Sequence, residues 1–162
     1  MKSFLNPLII ALSLLPLSAL ACEKPQVVGY DFVNCLSEGL ASVEQNGKWG
    51  FIDNTGKVVI PVQYDYVGYF SEGLASIKQN GKYGFVDKTG KVVIPVQYDY
   101  VGYFSEGLAS IKQNGKYGFV DKTGKVVIPV QYDNAWVFEN GKAEVSLNGE
   151  FFYIDKTGKR LD

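Results

Sequence analysis

The chain has 162 residues, with 16 Lys or Arg, 17 Asp or Glu and no His, giving a formal net charge of −1. Because the charge is balanced and no basic stretch exists, nucleic acid and anionic membrane surfaces are poor candidates for partners. The absence of His excludes catalytic pairs that use it as a base and metal sites that are built on it. We therefore expect no cofactor.

The first 21 residues have the pattern of a secretory signal peptide. Lys2 supplies a positive start, residues 8–17 form an apolar stretch, and Ala19-Leu20-Ala21 is a small-x-small cleavage site. The apolar stretch is too short for a membrane-spanning helix. We therefore predict that residues 1–21 are removed and that the protein is exported to the periplasm or the extracellular space.

Cleavage after Ala21 makes Cys22 the first mature residue, which leaves two alternatives. In the first, Cys22 forms a disulfide with Cys35, the other cysteine of the chain, and the bond ties the N-terminal segment 22–26 to the first repeat. In the second, the stretch from Ser18 to Cys22 acts as a lipoprotein box, and acylated Cys22 anchors the protein to a membrane. We favour the disulfide, because acylation leaves Cys35 as an unpaired thiol in an exported protein.

The remainder of the chain is an internal repeat. Residues 61–94 and 95–128 are identical at all 34 positions, residues 27–60 match this unit at 23 positions, and residues 129–162 match it at 15. Self-similarity at a fixed period indicates a repeat protein in which each unit stacks on its neighbours. We therefore predict one repeat domain over 27–162, composed of these four units.

Each unit has the pattern of three antiparallel strands. In the second unit, Asn80-Gly81 predicts a two-residue hairpin turn between strands at Leu74–Gln79 and Lys82–Asp87. A second turn leads to a third strand, residues 92–94, which we expect to end at Pro95 because proline cannot donate to a ladder. The next connecting segment has room for a short fourth strand.

No window of the chain has the periodicity of an amphipathic helix. The predicted fold class is therefore all-β: a tandem array of four 34-residue antiparallel meander repeats, elongated and solenoid-like. A closed four-bladed propeller is the less favoured alternative, because each unit is shorter than an ordinary blade. The outer units depart from the consensus, as capping repeats do.

The middle strand of the unit gives two expectations about packing. Alternation places Tyr83 and Phe85 on one face, and we expect both in the core. Gly84, between them, weakens a strand unless another group lies close above it. We expect that group to be an aromatic ring of a neighbouring repeat. In the last unit, Phe152 takes the place of this glycine.

The motifs now identified resemble the WG repeat found in many bacterial proteins. The resemblance rests on residues 47–53 (Gly-Lys-Trp-Gly-Phe-Ile-Asp) and 55–61 (Thr-Gly-Lys-Val-Val-Ile-Pro), with Tyr64-Asp65 and residues 70–75 fitting the same pattern. It extends over the whole of 27–162. It implies an all-β repeat array, usually taken as a protein-interaction module, and it supplies no catalytic residues.

Two sets of recurring acidic residues could carry chemistry. They are Asp53, Asp87, Asp121 and Asp155, and Glu38, Glu72 and Glu106. Each aspartate is a single acid before x-Thr-Gly-Lys, which indicates a turn rather than a calcium site. The glutamates have no partner carboxylate within their unit, whereas glycoside hydrolysis needs two carboxyls within about 5–10 Å. We expect them to accept backbone N–H groups, and we predict that the protein binds no metal and is not an enzyme.

The candidate binding residues are aromatic: Tyr64, Tyr66, Tyr69, Tyr98, Tyr100, Tyr103 and Trp136. Three tyrosines per middle unit exceed what one side of a thin sheet buries, so some should form an exposed ladder suited to an interface. Identical units duplicate any site, which favours binding by avidity. The predicted function is protein–protein interaction with an unknown protein of the bacterial cell envelope. The alternative is a cell-wall glycan-binding module.

Overall fold

The computed structural model describes residues 22–161, so the predicted signal peptide, residues 1–21, lies outside the described residues. Between Cys22 and Leu161 the chain forms strands and turns without an α-helix, and therefore has no helix long and apolar enough to cross a membrane. These residues form four antiparallel sheets, one for each repeat unit. The predicted all-β array of four units is confirmed.

The strands of these four sheets follow chain order. The first sheet contains β1 (Phe32–Val33), β2 (Leu40–Gln45), β3 (Lys48–Asp53) and β4 (Val58–Tyr64), and the second contains β5 (Tyr66–Val67), β6 (Leu74–Gln79), β7 (Lys82–Asp87) and β8 (Val92–Tyr98). The third contains β9 (Tyr100–Val101), β10 (Leu108–Gln113), β11 (Lys116–Asp121) and β12 (Val126–Tyr132), and the fourth contains β13 (Asn134–Ala135), β14 (Lys142–Leu147) and β15 (Glu150–Asp155).

The hairpin at the centre of each unit forms as predicted. Strands β6 and β7 have the expected bounds and pair antiparallel in continuous register. Asn80 and Gly81 have φ values of 51° and 79°, as a type I′ turn requires. The predicted short fourth strand is also present. It is β9, which follows β8 along the chain but pairs with β10 of the next sheet.

The third strand of each unit is longer than predicted. Strand β8 continues through Pro95 to Tyr98, because its pairing with β7 is interrupted at Pro95 rather than ended. Phe85 pairs with Ile94 and Tyr83 with Tyr98, so three residues of β8 lie opposite one residue of β7. Such a bulge leaves the proline nitrogen outside the ladder.

Gly84 is the residue opposite this bulge, and the group close above it is not an aromatic ring. A Cβ at Gly84 would lie 2.5 Å from the carbonyl oxygen of Ile94 and 2.8 Å from that of Pro95. The expectation of a neighbouring ring was therefore wrong. The backbone of the unit's own third strand occupies the space, and only glycine allows this approach.

The core lies between consecutive sheets. Leu74 and Phe85 of the second sheet pack against Ala109, Ile111 and Val120 of the third. Equivalent clusters join the first sheet to the second and the third to the fourth. Among the described residues no buried cluster joins the first sheet to the fourth, so the array is open and is not a closed propeller.

The two ends of the array differ. The outward face of the first sheet (Ala41, Val43 and Ile52) is covered by the segment that precedes it, including Tyr30 and Leu36. The outward face of the last sheet carries Phe151 and Tyr153, which are 57% and 38% exposed. The N-terminal end is therefore covered by its own chain, and the C-terminal end presents aromatic and polar side chains.

Candidate functional site

The seven predicted binding residues divide into two groups. Five are exposed at 45–58% of their surface: Tyr66, Tyr69, Tyr100, Tyr103 and Trp136. Tyr64 and Tyr98 are only 5% and 3% exposed, and their assignment to the binding face was wrong. Both are the last residue of a third strand, and they turn into the core between sheets because the strand extends past its proline.

The exposed tyrosines belong to rows that run across each sheet. In the second sheet, Lys78 is the cross-strand neighbour of both Tyr66 and Tyr83. In the third sheet, Lys112 is the neighbour of Tyr100 and Tyr117 in the same way. Residues paired directly across antiparallel strands have Cβ atoms about 5 Å apart, so each row is a contiguous Tyr-Lys-Tyr surface.

Along the array these rows form the aromatic stripe, which consists of Phe32, Trp49, Tyr66, Tyr83, Tyr100 and Tyr117. Ring contacts join its first three members and its last three, and Lys78 lies between the two runs, as the cross-strand neighbour of Tyr66 and Tyr83. Ring centroids are 6.0 Å apart between Tyr83 and Tyr100 and 6.3 Å between Tyr100 and Tyr117. Neighbouring rings are tilted or edge-to-face, the arrangement that aromatic pairs prefer. The stripe therefore continues across the sheet boundaries.

The sequence analysis did not identify the stripe residues that lie on the middle strand of each unit, which are Trp49 on β3, Tyr83 on β7 and Tyr117 on β11. Trp49, Tyr83 and Tyr117 are partly buried and pack against the core clusters from their edge. The expectation that Tyr83 and Phe85 lie in the core therefore holds fully for Phe85 and only in part for Tyr83. The signal was available in the hairpin register. The Asn-Gly turn fixes Tyr83 opposite Lys78, and a lysine rarely faces a core.

A second contact lies beside the stripe, between equivalent residues of the two identical units. The rings of Tyr69 and Tyr103 are 5.8 Å apart. Partial burial, with smaller effects from Tyr103 and Tyr66, raises the pKa of Tyr69 above its ordinary value. Tyr69 therefore remains a neutral hydroxyl at physiological pH and offers both a donor and an acceptor to a ligand.

The first groove, as we name it, lies between the second and third sheets and has a volume of about 230 Å³. Its walls are aromatic: Tyr66, Tyr69, Tyr83, Tyr100 and Tyr103. Leu74, Phe85 and the Ser76 side chain also line it. A Cβ at Gly68 would lie 2.5 Å from the Ser76 oxygen, so this glycine leaves the Ser76 hydroxyl accessible from the groove.

The second groove lies one repeat further along and has a volume of about 410 Å³. Tyr100 and Tyr103, which form one wall of the first groove, also line the second. Tyr117 and Ser110 occupy the positions that Tyr83 and Ser76 hold in the first groove, and Trp136 completes the aromatic lining. The two grooves are thus consecutive subsites with a shared wall.

The charge beside these grooves is positive. Among residues 22–161 no Asp or Glu lines either groove, and the Lys78 nitrogen lies 5.1 Å from the centre of the Tyr83 ring. The carboxylate of Asp65, the residue before Tyr66, binds the ammonium of Lys48 at 2.6 Å and accepts the backbone N–H of Asn80. These two hydrogen bonds, with smaller effects from the charges of Lys48 and Lys78, lower the pKa of Asp65. The charge of Lys78 also acts on Asp65, but within residues 22–161 no carboxylate forms an ion pair with the Lys78 ammonium.

The recurring aspartates form turns, as expected from the sequence. The Oδ1 atom of Asp87 accepts hydrogen bonds from the Thr89 hydroxyl at 2.6 Å and from the backbone N–H groups of Thr89 and Lys91. The hydroxyl contributes most to lowering the pKa of Asp87. Among residues 22–161 no three His, Cys, Asp or Glu side chains cluster in a way that could hold a metal ion.

The recurring glutamates accept backbone N–H groups, also as expected, but across the unit boundary. The Oε2 atom of Glu72 accepts the N–H of Gly107 in the following unit at 2.9 Å and lies 3.6 Å from the ammonium of Lys122. Glu38 and Glu106 make the equivalent contacts with their own following units. The glutamates therefore join consecutive units and do not pair with one another.

The cysteines are joined in the structure. Cys22 and Cys35 form a disulfide with their Cα atoms 5.2 Å apart, next to the segment that covers the first sheet. This is the first of the two alternatives that the sequence leaves open. The Cys22 sulfur is also the atom that lipoprotein acylation modifies, so the two states exclude each other.

Comparison with known proteins gives one family. The family model described as "WG containing repeat" matches the chain four times, at residues 29–49, 49–83, 83–117 and 117–151. Each boundary between matches falls on an aromatic residue of the stripe: Trp49, Tyr83 and Tyr117. No curated protein matches the chain. Since the four matches cover most of the sequence, the protein belongs to the WG-repeat family.

Proposed function

We propose that the protein is an exported, non-enzymatic binding module of the bacterial cell envelope. It holds an extended segment of a partner protein along the aromatic stripe. The observation that carries this proposal is the pair of equivalent grooves with a shared wall formed by Tyr100 and Tyr103. Consecutive equivalent subsites suit a ligand that is itself a linear chain.

The side chains around the grooves suit a protein surface. Exposed tyrosines provide a large apolar area and a polar hydroxyl at little cost in conformational entropy, and they are enriched where proteins bind one another. Pockets for whole small molecules usually measure about 300–1,000 Å³. The first groove, at about 230 Å³, is below this range, and the second, at about 410 Å³, is at its lower end. One groove therefore accommodates a side chain or two, and a strong interaction requires several grooves together.

A cell-wall glycan is the second candidate, supported by the exposed rings on which sugar faces could stack. The first groove counts against it, because its polar side-chain groups are hydroxyls alone, without a carboxylate or an amide. A sugar presents many hydroxyls, and each one that loses water without gaining a partner costs about 1–3 kcal/mol. A polypeptide with apolar side chains avoids this cost.

Export and the absence of catalysis complete the proposal. A disulfide between Cys22 and Cys35 persists in an oxidising compartment, in agreement with the signal-peptide pattern of residues 1–21. The glutamates and aspartates that could have served a reaction are bound to backbone N–H groups in turns and unit boundaries. We therefore assign the protein a binding role.

The test is a parallel selection on two ligand classes. Protein purified from cells that express the full-length sequence is screened against a displayed library of random peptides and is co-sedimented with isolated peptidoglycan. We expect peptide binding that the Tyr100→Ala/Tyr103→Ala variant loses. The matched control is Val92→Ala/Val126→Ala, which changes two equally exposed apolar residues outside the grooves. Saturable peptidoglycan binding without peptide binding would contradict the proposal and favour the glycan.

A further inference from the structure

We propose that the partner segment is an acidic, proline-rich peptide in the polyproline II conformation, with a carboxylate at every third residue. This inference rests on the proposed function and specifies its ligand. Three properties of the stripe support it: its repeat distance, the nature of its walls and the position of its lysines.

The repeat distance sets the period of the ligand. Along the stripe, the steps from Tyr83 to Tyr100 and from Tyr100 to Tyr117 are 6.0 and 6.3 Å. One repeat comprises two such steps, so Tyr83 and Tyr117 are at most about 12 Å apart. Stacked sheets lie about 10 Å apart, which gives a similar value. Equivalent subsites therefore recur at intervals of about 10–12 Å.

A polyproline II helix matches this interval better than a β-strand does. It has three residues per turn and rises about 3.1 Å per residue, so one face recurs about every 9.3 Å. A β-strand presents the same face about every 6.8 Å, and two such steps already exceed 13 Å. A polyproline II ligand thus offers one side chain to each groove through successive turns.

The walls favour the same conformation. Grooves lined by aromatic rings bind proline-rich segments because the ligand is already extended and loses little entropy on binding. In the first groove, the rings of Tyr69 and Tyr103 have centroids 5.8 Å apart, and Tyr66 and Tyr83 also line the groove. A pyrrolidine ring presents a compact apolar surface to such walls.

The lysines determine the charge of the ligand. Lys78 and Lys112 occupy the centres of consecutive rows, one repeat apart. Beside the first of these rows, Lys48 pairs with Asp65, so the charge of Lys78 remains. Beside the second, Lys82 pairs with Asp99, so the charge of Lys112 remains. Each of these two rows therefore presents one ammonium that forms no ion pair with a carboxylate of the described residues. Carboxylates three residues apart in a polyproline II peptide would meet both.

The end rows define where such a ligand binds. Glu44 occupies the centre of the first row and Ser146 that of the last, in place of the lysines. Glu44 repels an acidic peptide, and Ser146 offers it no charge. The favoured site therefore covers the second and third rows and the two grooves beside them.

The experiment compares three peptides of equal length. The first repeats Pro-Pro-Glu four times, the second has the same composition with glutamates at irregular spacing, and the third repeats Pro-Pro-Lys. Binding is measured by calorimetry and by the fluorescence of Trp136, which lines the second groove, in the Trp49→Phe variant. We expect the regular acidic peptide to bind about tenfold more tightly than the other two, because two ion pairs depend on its spacing.

Variants separate charge from fold. Lys78→Glu/Lys112→Glu should weaken the regular acidic peptide at least tenfold and strengthen the Pro-Pro-Lys peptide. Lys91→Glu/Lys125→Glu makes the same change of charge at exposed positions outside the grooves and should alter neither affinity. Equal binding of all three peptides, or an equal effect of both variants, would overturn the inference.

The outcomes also separate this inference from the function on which it rests. If peptides from the random library bind at the grooves but none of the three proline-rich peptides does, the ligand chemistry is wrong and the peptide-binding function stands. If no peptide of either kind binds, both proposals fail.

Discussion

The two identical units, 61–94 and 95–128, differ from both end units at the surface, and from the last unit also at the bulge. The rows of the middle units read Tyr-Lys-Tyr, whereas the first unit has Phe-Glu-Trp and the last has Asn-Ser-Phe. The buried faces follow one plan throughout. The repeat therefore fixes the stacking of the sheets, and the middle units add a surface suited to a ligand.

Gly118 and Phe152 illustrate the difference most clearly, because they hold equivalent positions in the third and fourth units. A Cβ at Gly118 would lie 2.6 Å from the Ile128 carbonyl oxygen, where the third strand bulges. The fourth sheet has no described strand on that side of β15, and Phe152 is buried in the core against the third sheet. The same position thus requires glycine inside the array and accepts a large ring at its end.

The largest effect should come from exchanging these two residues. Gly118→Phe places a ring where the backbone of β12 lies, and we expect a loss of more than about 3 kcal/mol in the free energy of unfolding. Phe152→Gly removes a buried ring and should cost about 3–5 kcal/mol. Urea denaturation followed by circular dichroism measures both. A Gly118→Phe protein as stable as the wild type would contradict the bulge geometry.

Reduction of the disulfide should have the next largest effect, and it should be confined to the first unit. Cys22 and Cys35 are 13 residues apart, and closing a loop of this size contributes about 3 kcal/mol. We expect a lower melting temperature in reductant and faster hydrogen exchange in β2. An unchanged melting temperature, together with a lipid-sized mass increase on Cys22, would instead favour the lipoprotein.

The hydrogen bonds between units predict a smaller effect that is equal in the two middle units. The Ser71 hydroxyl donates to the Phe104 carbonyl at 2.7 Å, and Ser105 donates to Phe138 at 2.8 Å. Ser71→Ala and Ser105→Ala should each cost about 1 kcal/mol, since both bonds are partly buried. Equilibrium denaturation of the two variants tests this. A large difference between them would show that the two unit boundaries are not equivalent.

Acid should produce the smallest effect, shared by all four units. Hydrogen bonds from threonine hydroxyls and from backbone N–H groups lower the pKa of Asp53, Asp87, Asp121 and Asp155. The ionised aspartates therefore stabilise the folded protein above the pKa of about 3.9 that they have in the unfolded chain. This stabilisation is lost as the pH falls through their lower pKa in the folded protein. The urea midpoint should therefore decrease below about pH 4. Changing all four aspartates to Asn should make the urea midpoint depend less on pH. An unchanged pH dependence would contradict the role of these aspartates in acid destabilisation.

The sequence predicted what is local in this fold. Asn80-Gly81 fixes the hairpin and its register, so the bounds of β6 and β7 are correct. The sequence misplaced the end of β8, because a proline that ends most strands lies here in a bulge. Because the predicted strand stopped at Pro95, Tyr98 was assigned to the binding face of the connecting segment. In the structure Tyr98 is the last residue of β8, and the alternation of side chains along the strand places it in the core.

Contacts between units could not be predicted in the same way. The Glu72 side chain was expected to bind a backbone N–H, but the donor is Gly107, which lies 35 residues further along the chain. The grooves also depend on how one sheet stacks on the next, and no residue pattern within a unit specifies that orientation. The tyrosines of the site were therefore predictable, and their arrangement into grooves was not.

The shared wall of the grooves gives the most direct test of the account. We would measure, by calorimetry, the affinity of one library-selected peptide for Tyr66→Ala/Tyr69→Ala, which alters only the first groove, and for Tyr100→Ala/Tyr103→Ala, which alters both. We expect the affinity to fall about tenfold for the first variant and about a hundredfold or more for the second. Equal losses, or no loss in either variant, would contradict this expectation.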